Sequence, residues 1–236
     1  MTEEIKAQLR LWASQYHNAQ FIPADPVQFP HRYTQPSDIE IMGLLTAIMS
    51  FGNRTMILRK VNQLDDLMQH SPLDYLLSQE WKYHFHTDDT SSFYRMLSHA
   101  DVRAVMQRLY DVYREGETLE DRLMTYSGIP MQRLCAFMGV TDRSPQKKLN
   151  MFLRWMVRTN SPVDFGLWTR MSPSDLIIPL DTHVCRVSHQ IGLTSSHTFS
   201  LGNARRITDS LAEIFPGDPC MGDFALFGYG VNHKDE

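Results

Sequence analysis

Leu176-Ile177-Ile178-Pro179-Leu180-Asp181-Thr182-His183-Val184-Cys185-Arg186-Val187 runs an apolar segment into an aspartate and then into helical spacing. Asp181 fits the cap of a helix, because its carboxylate accepts from the first backbone N–H groups, which have no partner inside the helix. Val184, Val187 and Ile191 recur on one helical face, and Gly192 ends the run. On these grounds alone the stretch is a capped core helix.

Helical periodicity continues on both sides. Upstream, Ser144-Pro145 reads as a helix start, with Ser144 as cap and Pro145 in the first turn. Leu149, Phe152, Leu153, Met156 and Val157 make its core face, and Pro162 and Gly166 stop it. Downstream, residues 200–215 form another helix, 216–219 a turn, and 224–230 a last apolar helix. Near the front, residues 3–17 are amphipathic and 21–36 carry four prolines, which forbids a long regular element. Ser37-Asp38-Ile39-Glu40 predicts a capping box before the apolar segment 41–51, which ends at Gly52-Asn53. Helices follow at 55–70, 93–99, 102–113, 119–126 and 131–138, the last closed by Gly139. Only 81–86 alternates like a strand, and its His84 and His86 have no third metal ligand nearby. The expected class is all-α, a single unit over 1–236 with subdomains 37–158 and 1–36 plus 159–236.

The composition excludes several classes. Hydrophobic residues make up 42% and charged residues 21% of the 236, a globular balance. No apolar run is long enough to span a membrane, and the acidic start is not a signal peptide. Cys135, Cys185 and Cys220 are few and far apart, so neither a disulfide framework nor an iron–sulfur cluster is expected. The expectation is a cytoplasmic monomer with no metal and no cofactor. A net charge of -4 argues mildly against nucleic acid. Yet Arg143, Lys147, Lys148, Arg154, Arg158 and Arg170 cluster, followed by Arg186 and the pair Arg205-Arg206, while much acidic charge lies at 3–4, 65–66, 88–89 and 115–121.

Pro179-Leu180-Asp181-Thr182-His183-Val184-x-Arg186-Val187 resembles the stretch carrying the catalytic aspartate in helix-hairpin-helix DNA glycosylases, the endonuclease III and 8-oxoguanine glycosylase superfamily. The resemblance implies a two-subdomain helical fold with a cleft, and a catalytic lysine at an upstream helix start. Lys147 and Lys148 stand there, 34 and 33 positions before Asp181, a spacing similar to the archaeal 8-oxoguanine enzymes with a divergent hairpin. The usual Gly-x-Gly turn before the lysine is missing. The run 147–156 also resembles a bacterial family known as a domain of unknown function (DUF2400), with similarity over 21–232. Superfamily spacing favours Lys148; the pattern of that family favours Lys147.

The chemistry needs an amine that attacks C1′ and a carboxylate that stabilises positive charge on the sugar. The resemblance therefore implies Lys147 or Lys148 with Asp181 as catalytic groups. Asn53 would fill the gap left by a flipped base, beside Arg54, and Arg143 and Arg186 would contact DNA. Asp218, Asp223, Phe224 and Phe227 would build the base pocket, aromatics stacking and carboxylates accepting from N–H edges. The expected function is a base-excision glycosylase, with or without lyase activity, on damaged double-stranded DNA. A nucleic-acid-binding module that has lost the chemistry is the alternative, and a helical protein–protein adaptor is a third reading.

Overall fold

The computed structural model describes residues 1–233. The elements are α1 (Glu3–Tyr16), α2 (Pro36–Met49), α3 (Arg54–Leu67), α4 (Pro72–Ser78), α5 (Trp81–His84), β1 (Ser92–Tyr94), β2 (Leu97–Ser98), α6 (His99–Tyr113), α7 (Leu119–Met124), α8 (Pro130–Met138), α9 (Lys147–Val157), α10 (Thr182–Gln190), α11 (Leu201–Ala212) and α12 (Met221–Asn232). The chain is thus helical with one small hairpin. Among the described residues no helix is long and apolar enough to cross a membrane.

α2 is the centre. Every residue from Ile39 to Met49 is buried, as an all-round apolar helix requires. It packs on α9, α3 and α4. α1 lies along α12, and α12 along α10. Glycines permit these approaches: a Cβ on Gly228 would stand 2.3 Å from Tyr16, and one on Gly230 2.8 Å from His183. Trp12 and Tyr229 stack at 3.9 Å across the first of these contacts.

Two buried charge clusters tie the elements together. In the first, Glu40 accepts from the Tyr113 hydroxyl, the Trp168 indole N–H and the Leu119 backbone N–H, joining α2 to α6, α7 and the 158–181 segment. In the second, Arg154 and Arg158 lie one helical turn apart on α9. Arg154 pairs with Asp164 at 3.2 Å and with Asp223 of α12. Arg158 pairs with Asp164 and grips both oxygens of Asp218, at 2.8 and 2.7 Å.

Local departures from expectation have physical reasons. Glu40 forms no capping box, because its carboxylate turns inward to the cluster just described; α2 starts at Pro36 without a side-chain cap. Ser144 does not cap α9, which starts at Lys147 after Gln146 takes a left-handed conformation, φ 43°. Residues 81–84 are helical: Trp81 and Phe85, four apart, are both buried, and so short a segment satisfies either period. Residues 93–99 are not a helix. Residues 92–98 form the β1–β2 hairpin, whose two-residue loop is Arg95-Met96, with Arg95 at φ 54°. Left-handed backbone on such a residue costs on the order of 1 kcal/mol.

Removing one partner of a buried ion pair leaves the other charge uncompensated, at about 3–5 kcal/mol. Arg158→Leu leaves Asp218 without its partner and Asp164 with Arg154 as its one remaining cation, and its melting midpoint by circular dichroism should fall roughly 10 °C. A midpoint within a degree or two of wild type would show that the second cluster carries little stability.

Candidate functional site

A cavity of about 630 Å³ opens where the end of α2 and the starts of α3, α9 and α10 converge over α12. Two helix starts supply its central groups. Lys147 is the first residue of α9, and its amine donates to the Ser50 carbonyl at 3.4 Å. Asp181 caps α10: Oδ1 accepts from the Val184 N–H at 2.8 Å. Both residues line the cavity.

Around them stand Arg54, Asn53, Asp25, Asp223, His183 and Phe227. Asn53 caps α3, its Oδ1 accepting from Met56 at 3.2 Å, rather than closing α2. Arg54 lies 5.9 Å from the centre of the Phe227 ring, which His183 and Phe21 meet edge-on. Asp25 caps a single 3-10 turn, with Oδ1 accepting from Val27 at 3.1 Å.

Arg154 and Arg158 face Asp164, Asp218 and Asp223, and Arg154, Arg54 and Lys147 act on Asp25. Asp25 and Asp223 are both buried, and burial penalises the charged form of a carboxyl even beside cations. Burial pushes Asp25 above its ordinary value despite its backbone bond. Burial likewise raises Asp223 to about 6, with Arg154 pulling it down and Asp181 pushing it up. Asp25 and Asp223 thus line the cavity beside Asp181 with raised affinities for a proton.

The cavity gathers Lys147, Asp181, Asn53, Arg54, Asp223 and Phe227. Other candidates lie outside it. Lys148 turns away and holds its amine 4.5 Å from the centre of the Phe51 ring; burial and then Lys147 lower its pKa. Arg143 is exposed on the turn before α9. Arg186 donates to the carbonyls of Gly230 and His233. Asp218 is held by Arg158, and Phe224 is buried beneath the Arg154 and Arg158 guanidiniums at 4.4 and 5.3 Å. Sequence reasoning missed Asp25. Asp25 sits in the proline-rich stretch, where the only signal was an Asp-Pro pair, which reads as a turn.

The fold and site define a helical protein with a charge-lined cavity between helix starts. The chain belongs to the family described as "Protein of unknown function (DUF2400)", which matches residues 25–137 and 127–232. No curated protein and no solved structure matches it.

A carboxyl raised from 3.8 to about 6 makes folding stability depend on pH with a definite sign. The folded state holds the proton more tightly, so this contribution is fully present below about pH 4 and is lost as pH rises through 6. Carboxyl carbon shifts should show Asp223 titrating near pH 6, and Asp223→Asn should lack that segment of the stability curve. A midpoint for Asp223 below pH 4 would mean that Arg154 outweighs desolvation.

Proposed function

We propose that this protein excises damaged bases from double-stranded DNA, with Lys147 as nucleophile and Asp181 as the stabilising carboxylate, on a glycosylase-like helical frame with a divergent hairpin. The observation that carries the reading is that one cavity holds both groups, each at a helix start. The lone pair of the Lys147 amine attacks C1′, and the glycosidic C1′–N bond breaks as its electrons leave with the base, which takes a proton. Opening of the sugar ring then gives a Schiff base between Lys147 and C1′. Asp181 stabilises positive charge developing on the sugar, and a carboxylate in a partly dry cavity does this far better than one in water.

Other groups have roles consistent with this chemistry. Phe227 offers a face on which a flipped base can stack, and Asp25 and Asp223 offer carboxyls to its polar edge. Asn53 and Arg54, at the start of α3 and on the cavity lining, would prop the vacated stack. No Gly-x-Gly turn precedes α9, and the start of α9 carries no side-chain cap.

Borohydride trapping and base release on a panel of lesion-bearing duplexes test the reading. Lys147→Gln should trap nothing while still binding. Lys148→Gln should keep most of the activity, since its amine lies over Phe51. Asp181→Asn should fold normally, because Asn caps well, yet react on the order of a hundredfold more slowly. Wild type that binds duplex but neither traps nor releases any base would establish the binding module instead. Equal trapping by both lysine variants and wild type would place the nucleophile elsewhere.

A further inference from the structure

The β1–β2 hairpin is fastened to the rim of this cavity from two sides. Tyr94 packs edge-on against Phe51, with ring centres 5.2 Å apart, and its hydroxyl donates to the Phe51 carbonyl at 2.8 Å. Phe93, on the other face of β1, lies under the Lys60 amine at 3.8 Å and against Phe85 at 5.3 Å. Arg95 crosses directly over Gly52: a Cβ there would meet its guanidinium at 2.6 Å. Phe51 and Gly52 both line the cavity, so the tip stands at its mouth.

The tip's composition runs against turn chemistry. A two-residue hairpin loop ordinarily carries Gly, Asn or Asp where φ is positive. Here Arg95 takes that conformation, and Met96 beside it is 88% exposed. Single exposed apolar residues are common and by themselves mean little. This one differs because it rides on a clamped support, at the edge of a cavity, beside unpaired cations. Among the described residues none of Arg54, Lys60, Arg95, Lys147 and Lys148 forms an ion pair.

We infer that this tip is a second DNA-contacting element of the site: Arg95 takes a backbone phosphate beside the extruded nucleotide, and Met96 enters the base stack next to the gap. The inference rests on the DNA reading of the cavity. A flexible, unbranched thioether fits an irregular opening between bases, and apolar wedges of this kind favour a kinked duplex. Cations around the mouth match the phosphates that a kink brings close.

The test uses the full chain and a duplex carrying a tetrahydrofuran abasic analogue, with 2-aminopurine at the neighbouring base. Wild type should raise the 2-aminopurine fluorescence on binding. Met96→Ala should lose most of that rise and bind this duplex roughly five- to twentyfold more weakly. Met96→Leu should restore both. Arg95→Gly, which keeps the left-handed backbone, should reduce the slope of log affinity against log salt by about one. Melting midpoints of the Met96 variants should not move, since Met96 is solvent-exposed. If Met96→Ala matches wild type in affinity and fluorescence, the wedge is wrong, whatever trapping shows. If it instead changes only the sedimentation of the free protein, the tip is a contact between copies and the inference falls. If wild type binds no duplex, both this inference and the function proposed above fall. A Met96-dependent rise without trapping on any lesion would keep the wedge and overturn only the chemistry.

Discussion

The pairing of Arg154 and Arg158 with Asp164, Asp218 and Asp223 is the interaction on which the site depends. Both guanidiniums are buried, and a buried charge survives only when paired and hydrogen-bonded. The arginines stand on one face of α9, so satisfying them fixes the rotation of that helix against α12 and the 158–164 segment. Fixing the rotation of α9 fixes which of its first residues meets the cavity. Lys147 faces in and Lys148 faces Phe51 because adjacent helical residues differ in direction by about 100°. A buried apolar face would hold α9 in place as well, but it would tolerate small rotations that a bidentate grip does not.

The same cluster gives the cavity its floor. Asp223 belongs to both: one side meets Arg154 and the other the open space. Burial leaves Asp223 and Asp25 with raised affinities for protons, so each offers an acceptor or a donor as pH and ligand demand. The Glu40 cluster on the other side of α2 holds no cation: its two oxygens take three neutral donors from the protein itself, and burial raises its affinity for a proton.

The helices were legible because periodicity is a local property. The 147–157 and 182–190 segments carry apolar faces that only a helix aligns, and Asp181 caps as its residue type prefers. The hairpin was not legible. Phe93 and Tyr94 serve two different partners, the Lys60–Phe85 side and Phe51, and nothing in seven residues separates that from one turn of helix. Charge misled for a similar reason. The basic run from 143 to 186 looks like one surface, yet Arg154, Arg158, Arg170 and Arg186 are spent on internal partners. The cations around the cavity mouth come from α3, the hairpin and the start of α9, which lie far apart in the chain.

The sequence by itself determined the helical class and the Asp181 cap, and it carried a lysine pair at an upstream helix start. These need only side-chain preference and spacing along one element. Tertiary structure decided which lysine shares the cavity with Asp181, that Asp25 joins them, that Phe224 belongs to the interior and that Asp218 is held by Arg158. Each of those is a question of which face of one element meets another across long loops. Only the packing of α9, α12 and the proline-rich segment about α2 answers it.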